Sequence, residues 1–189
     1  MKKIALFFAL ILISACSFRS PQSQFYVMNS NNLPSISDKK MNIAVARIDV
    51  PDILDKSQMV IYDDNAVEVQ ILEFHRWAET FPNIVQSTVT NDLIAYLPNA
   101  YVRSVYFDTV SLPQYSVNIE INSIKAQKGG NVRLSAWWYI SDAKGKVLKR
   151  VQQTYVSSAK GDSIAELVDA QADAIHQMSR DISENLLNL

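Results

Sequence analysis

The sequence predicts an α+β fold in which a mixed or antiparallel β-sheet is packed on one face by two amphipathic helices. Two segments, after Pro82 and after Ser163, carry apolar residues at helical spacing. The other segments alternate apolar and polar residues between turn-forming stretches, which is typical of about six or seven short strands. A length of 189 residues fits one globular domain preceded by a targeting segment.

The first half of the chain predicts four strands, of which the last two form a hairpin. Both faces of the second strand are apolar, which predicts an interior position in the sheet, and Pro51 ends it because proline cannot continue a ladder. Asp63, Asp64 and Asn65 predict the hairpin turn. The strands are predicted over residues 25–28, 42–51, 58–62 and 67–71.

Both predicted helices carry recognisable end signals. Pro82 is tolerated in the first turn of the first helix, and Pro98 ends that helix. Asp162 or Ser163 caps the second helix, and Glu166 completes a capping box with Ser163. The second helix closes the chain.

Three antiparallel strands in succession are predicted between the helices, because turn sequences at 128–131 and 142–146 separate segments of alternating polarity. In the middle strand, Arg133, Trp137 and Tyr139 share the polar face. Two aromatic residues on a solvent-exposed face indicate a contact surface, and we take these three residues as candidate partner-binding residues. Strands are predicted over residues 101–105, 115–122, 132–141 and 147–156.

The N-terminus has the order of a secretory signal peptide. Lys2 and Lys3 precede an apolar run from Ile4 to Ile13, and small residues follow. The run is half of the roughly 20 residues that a membrane-spanning helix needs. Residues 1–15 are therefore predicted to be a signal peptide.

The single cysteine, Cys16, ends this segment in the sequence Ile13-Ser14-Ala15-Cys16, which resembles the bacterial lipobox. A free or buried thiol is the alternative, but an unpaired cysteine in an oxidising compartment is a liability that a thioether to lipid removes. Ser17 follows the cysteine at the position where lipoproteins retained in the inner membrane carry aspartate. This resemblance to sorted lipoproteins favours the outer membrane. We expect residues 16–24 to form a lipidated tether of at most about 26 Å and residues 25–189 to form the domain.

Composition and motifs argue against catalysis and nucleic-acid binding. The formal net charge is −1, and the four glycines form no phosphate-binding loop. The two histidines lie in separate segments and suggest no metal site. We expect no enzyme activity, catalytic residue, metal or cofactor other than the lipid on Cys16, although scattered residues could still assemble a catalytic group in space.

The segment EFHRWAE, residues 73–79, crowds charged and aromatic residues just before the first helix. We interpret it first as a structural junction in which Trp77 fills the core and Arg76 pairs locally. The alternative is an interaction surface, so His75, Arg76 and Trp77 are further candidate partner-binding residues. His176 is interpreted as a polar position on the last helix.

Taken together, the lipobox, FYVM, IAVARIDVPDILDKSQMV, EFHRWAE and RLSAWWYISDAKGKVL resemble the auxiliary lipoproteins of ABC-type transport systems, the paraquat-inducible lipoprotein C family. The resemblance covers nearly all of the mature chain. Lys56-Ser57 stands where the family usually has Arg-Pro, and Thr80 stands where it has proline.

This resemblance implies an outer-membrane lipoprotein that faces the periplasm and supports envelope integrity. It implies a membrane-spanning partner with mammalian-cell-entry domains that moves lipid between the two membranes. It also implies a homo-oligomeric ring that receives the partner. A carrier that encloses lipid in its own pocket is the alternative, and it requires an apolar cavity between sheet and helices.

Overall fold

A computed structural model describes residues 21–30, 32–62, 67–105 and 112–189 of the chain. The predicted signal peptide, Cys16, the first part of the tether and the predicted turn at 63–65 lie outside the described residues. The strands are β1 (Gln24–Tyr26), β2 (Asn42–Val45), β3 (Gln58–Tyr62), β4 (Val69–Trp77), β5 (Tyr101–Ser104), β6 (Tyr115–Ala126), β7 (Asn131–Asp142) and β8 (Val147–Ser158), and the helices are α1 (Phe81–Tyr96) and α2 (Ile164–Leu187).

The main sheet has five strands in the order β5-β2-β6-β7-β8. Strand β2 runs parallel to both β5 and β6, whereas β6, β7 and β8 form the predicted antiparallel succession. The α+β fold class and the interior position of β2 are therefore confirmed, and the sheet is mixed.

A second sheet of three strands, in the order β1-β4-β3, separates from the first. The prediction of a single sheet was wrong on this point. Strand β4 continues to Trp77, well beyond the predicted end at residue 71, because it pairs with β3 on one side and with the N-terminal strand β1 on the other. The local sequence pattern predicts only the hairpin of β3 and β4. It cannot predict the pairing of β4 with β1, because these strands are about fifty residues apart in the chain.

Strand β2 is shorter than predicted. Its ladder with β6 ends at Val45 and resumes only at a single bridge between Asp49 and Glu120. The chain between these points leaves regular pairing, with Arg47 exposed and Ile48 buried. This irregularity brings Asp49 beside Glu120 at the centre of β6.

Both helices lie on one face of the main sheet, with α2 packed on β7 and β8 and α1 packed on α2 and β5. The core between the layers is filled by alternate residues of the strands and by the apolar stripe of α2; its fully buried members include Trp138, Ile140, Leu134, Leu167, Ile175 and Met178. Each such side chain contributes about 1.5–3 kcal/mol on burial.

The helix ends follow the predicted signals. Ser163 is the N-cap of α2, its hydroxyl accepts from the Glu166 N–H, and the Glu166 side chain accepts from the Ser163 N–H, which completes the capping box. Helix α1 begins one residue before Pro82 and is followed by Leu97 and Pro98. On α1, the buried Gln86 donates from Nε2 to the carbonyl of Val45 at 3.1 Å, which ties the helix to the end of β2.

Candidate partner-binding face

The open face is the side of the main sheet opposite the helices. Alternate side chains of strand β7 point to opposite faces of the sheet. Trp138, on the helix side, is fully buried, whereas Trp137, on the open face, is 36% exposed. Arg133 is also exposed and Tyr139 half-buried on this side. The structure therefore places Arg133, Trp137 and Tyr139 together on the solvent-exposed face that the sequence predicted.

Strand register sets the neighbours of the two aromatic residues. Trp137 pairs with Glu120 on β6 and with Gln152 on β8, and Glu120 pairs in turn with Asp49. Paired residues of adjacent strands point to the same side of a sheet. Trp137 therefore lies in a row that carries two carboxylates on one side and an amide on the other.

The next row, two residues along, is centred on Tyr139. Tyr139 pairs with Asn118 on β6 and with Arg150 on β8. The Arg150 guanidinium carbon lies 5.7 Å from the centroid of the Tyr139 ring, a cation–π distance. This contact holds the long arginine side chain over the aromatic ring.

Glu120, Trp137, Tyr139 and Arg150 line a groove with a volume of about 270 Å³ on the open face. A second depression of about 390 Å³ adjoins it and shares Glu120; its other lining residues are Asp49, Val50, Pro51, Ile121 and Asn122. The two depressions connect the aromatic pair to the loop at Val50 and Pro51.

Opposite charges lie on the two sides of the aromatic floor. Glu120 and Arg150 stand two strands and two residues apart, so their Cα atoms are separated by roughly 12 Å. Within the described part of the chain, neither residue forms an ion pair with another side chain. An aromatic floor between separated, uncompensated charges can bury apolar surface and orient a partner at the same time.

The candidates on β4 lie on the other sheet and do not join this groove. Trp77 is only 3% exposed and packs against Phe81 with ring centroids 5.7 Å apart, so it is a core residue rather than a partner contact. Arg76 pairs with Glu73 at 3.0 Å. These placements agree with the interpretation of EFHRWAE as a structural segment, with residues 73–77 forming the end of strand β4.

His75 makes a contact with the first strand. Its Nδ1 lies 2.9 Å from the Tyr26 hydroxyl, and the two rings are 5.8 Å apart. His75 therefore helps to hold β1 beside β4, and it remains half-buried.

His176 lies on the last helix, as predicted, but it is more than a polar surface position. Its Nδ1 lies 2.8 Å from Oδ2 of Asp92, a residue of α1 with no exposed surface. No local pattern predicts this pair, because the two residues are 84 positions apart.

Residues 21–30, 32–62, 67–105 and 112–189 contain neither a candidate metal-binding cluster nor a candidate membrane-spanning helix. No cluster of three or more His, Cys, Asp or Glu side chains in these ranges could bind a metal. No helix among the same residues is long and apolar enough to cross a bilayer.

Sequence reasoning missed three residues of the groove region, namely Asp49, Glu120 and Arg150. The short turn at 142–146 predicts the pairing of β7 with β8, but a register shift between Ile140 and Ser141 places Arg150, and not Lys149, opposite Tyr139. Counting back from the turn would therefore have given the wrong partner. The bridge from Asp49 to Glu120 could not be predicted either, because it follows an irregular stretch after β2 and joins residues far apart in sequence.

The fold and its open face place the chain among small α+β proteins with one solvent-exposed sheet face. More specifically, the chain belongs to the family described as the ABC-type transport auxiliary lipoprotein component, whose sequence profile matches residues 27–183. The protein is thus an auxiliary lipoprotein of ABC-type transport, and the family indicates a membrane-anchored location in the cell envelope.

Two solved structures with TM-scores above 0.5 show the same fold. An uncharacterized protein superposes with a TM-score of 0.71 at 19% identity, over 88% of this chain and 99% of that chain. A Xanthomonas campestris protein of the DUF330 family gives a TM-score of 0.65 at 13% identity, over 85% of this chain and 92% of its own. A PelC dodecamer from Paraburkholderia phytofirmans has a chain that superposes with a TM-score of 0.45 at 14% identity, over 76% of this chain and 89% of that chain. No curated protein sequence matches the chain.

Proposed function

We propose that the protein is anchored through Cys16 to the periplasmic side of the outer membrane and docks a membrane-spanning transport partner through its open face. The partner would carry mammalian-cell-entry domains and move lipid between the two membranes, and the docking would support envelope integrity. The observation that carries this proposal is the aromatic groove on the open face of a chain that belongs to a transport auxiliary lipoprotein family.

The anchor is supported by the lipobox-like sequence that ends in Cys16. Each buried methylene contributes about 0.8 kcal/mol, so several acyl chains on one cysteine hold a protein at a membrane far more firmly than one chain does. The tether is short, and the domain would remain within about 26 Å of the membrane surface. Any partner would therefore have to reach the outer membrane.

Docking is supported by the character of the open face. Trp137 and Tyr139 are large aromatic residues that offer contact area at low entropic cost, and tryptophan, tyrosine and arginine are enriched among residues that dominate binding energy. The groove they form with Arg150 supplies all three residue types within one site.

The alternative, a lipid carrier, needs room for acyl chains between the sheet and the helices. In the structure, this layer is filled by side chains without exposed surface, including Trp138, Ile140, Ile175 and Met178. Close packing of this kind favours docking over enclosure of lipid. The proposed role is also non-enzymatic, in keeping with the sequence motifs, and the family resemblance adds a homo-oligomeric ring to the proposal.

The docking surface is tested by mild crosslinking of cell envelopes, purification of the acylated protein and mass spectrometry of the recovered proteins and lipids. We expect a protein with mammalian-cell-entry domains to be recovered with the native chain. Trp137→Ala should weaken the association by about 2 kcal/mol, about thirtyfold in dissociation constant, if Trp137 is a central contact. Ile94→Ala is the matched control, because Ile94 is an exposed apolar residue on α1, away from the open face.

The outcomes separate the proposals. Equal loss of partner in the Trp137 and Ile94 variants would refute the assignment of the open face. Lipid recovered in stoichiometric amount without a partner protein would favour the carrier. Cys16→Ala should release the domain from membranes without unfolding it, and loss of folding in that variant would contradict a role as anchor alone.

A further inference from the structure

His176 joins three separate segments of the chain. From α2 its Nδ1 reaches Oδ2 of Asp92 on α1 at 2.8 Å, and its Nε2 reaches the carbonyl oxygen of Asn29 at 3.1 Å. Asn29 belongs to the N-terminal arm, defined here as residues 21–30, which leads from the tether into the fold. The imidazole therefore links both helices to the arm.

Both partners of the imidazole are hydrogen-bond acceptors. A carboxylate oxygen and a backbone carbonyl can only accept, so both ring nitrogens must carry a proton to satisfy them. A neutral ring would direct the lone pair of one nitrogen at an oxygen atom. With Asp92 ionised, the geometry requires the imidazolium, and this form also supplies the positive charge that the fully buried carboxylate needs.

The groups around His176 agree with this charge state. Asp92 and Tyr96 face it from α1, and Asp173 and Arg180 lie one turn away on α2. Arg180 is itself paired with Glu184 at 2.9 Å. The loop that follows the arm and strand β8 line the groove beside the ring with uncharged residues, namely Leu33, Ser157 and Ser158.

Burial disfavours the charged ring, but the hydrogen bond and charge of Asp92, the Asn29 carbonyl and the charge of Asp173 outweigh it. The pKa of His176 is therefore raised above its usual value. A raised folded-state pKa stabilises the fold fully below the unfolded value of about 6.5. This contribution is lost as the pH rises through the folded-state pKa.

The other contacts of the arm are made with the second sheet and the core. Among the described residues, strand β1 pairs with β4, and the Tyr26 hydroxyl lies 2.9 Å from Nδ1 of His75. At the end of β1, the carbonyl of Tyr26 accepts from the Ala78 N–H at 2.9 Å, and Met28 packs into the core. Phe25 and Val27 are largely exposed. The contact of the charged imidazole with the Asn29 carbonyl adds a link between the arm and the helix pair.

We propose that His176, as an imidazolium, is a positioning residue that pins the N-terminal arm to the helix pair and so sets the length of free chain between Cys16 and the body of the domain. This role rests on the proposed anchor. With the arm pinned, at most about 26 Å of chain separates Cys16 from Gln24. If the arm leaves, the next backbone hydrogen bond among the described residues is donated by the Ile36 N–H to the carbonyl of Tyr96, and about 66 Å of chain becomes available.

The protonation state is tested by nitrogen-15 NMR of the histidine rings in the full acylated chain in detergent micelles. The sequence has only two histidines, so His75 provides an internal comparison. We expect both ring nitrogens of His176 to be protonated at pH 7, with a titration midpoint above 6.5. A ring that is singly protonated at pH 7 would overturn the proposal.

Two substitutions separate the two contacts of the ring. The amide nitrogen of H176N can replace Nδ1 and keep a donor for Asp92, whereas that of H176Q can replace Nε2 and keep a donor for Asn29. Hydrogen exchange of residues 21–30, with the Ala78 amide that donates to Tyr26, reports whether the arm is held. Amides of β7 report global opening.

We expect H176N to raise the hydrogen-exchange rates of the arm amides and of the Ala78 amide at least tenfold, while the exchange rates of the β7 amides change less. H176Q should leave the arm amides protected relative to the β7 amides. The native arm should lose protection as the pH rises through the His176 titration, after correction for intrinsic exchange. Arm exchange that is indifferent to pH and to H176N would refute the pinning. These exchange measurements do not depend on the lipid. If the proposed anchor is wrong, a different result will show it, because the Cys16→Ala protein will then remain on membranes.

Discussion

The buried hydroxyl of Tyr155 connects the main sheet to the last helix, and its removal gives a sharp test of the packing described above. Trp138 donates from Nε1 to this hydroxyl at 2.9 Å, and the hydroxyl donates to Oδ2 of Asp181 at 2.9 Å. Burial raises the pKa of the Tyr155 hydroxyl, so it remains a protonated donor at any physiological pH. Tyr155→Phe removes one oxygen atom and breaks both bonds.

The two broken bonds carry unequal costs. Trp138 has no exposed surface, so its indole N–H would be left without a partner at a cost of about 1–3 kcal/mol. Asp181 is half-buried, and water can replace the lost donor, so its contribution is smaller. We expect Tyr155→Phe to lower the free energy of unfolding by about 2 kcal/mol and the Tm by roughly 4–8 °C.

Urea and thermal unfolding of the native chain and the variant measure this loss, with Tyr101→Phe as the control because Tyr101 is 62% exposed. The control should change the free energy of unfolding by less than about 0.5 kcal/mol. In a Trp138→Phe background, the indole N–H is absent and Tyr155→Phe should cost less. Equal cost in both backgrounds would refute the assignment of the loss to an unpaired indole N–H.

Further stability predictions concern caps and turns. Ser163→Ala removes the capping box with Glu166 and should lower the free energy of unfolding by about 1 kcal/mol in urea titrations; no loss would show that the cap is dispensable. Gly129 and Gly145 both have positive φ, at 60° and 79°, but a Cβ on Gly129 would overlap the Asp162 carboxylate, whereas that on Gly145 meets open space. Gly145→Ala should therefore cost about 1–2 kcal/mol for the left-handed backbone, and Gly129→Ala a similar amount in the same titrations, because the exposed Asp162 side chain can turn away; a much larger loss at Gly129 would show that Asp162 is held in place.

Much of the fold could be predicted because its signals are local. The alternation of residues 132–140 reported which side of β7 is buried, and Ser163 with Glu166 marked the start of α2. The open-face candidates Arg133, Trp137 and Tyr139 followed from the same alternation. The groove needed more, because Glu120 and Arg150 join Trp137 and Tyr139 only through the register of three strands.

By itself, the sequence determined the order of helices and strands, the polarity of each strand face and the lipobox-like end of the signal segment. These features depend on periodicity and on short motifs, which act within a few residues. The tertiary structure decided the division into two sheets, the burial of Trp77 and the linkage of His176 to Asp92 and Asn29. Each of these joins segments distant along the chain, and such pairings are selected by the summed packing and hydrogen bonding of the whole fold, which no short stretch of sequence contains.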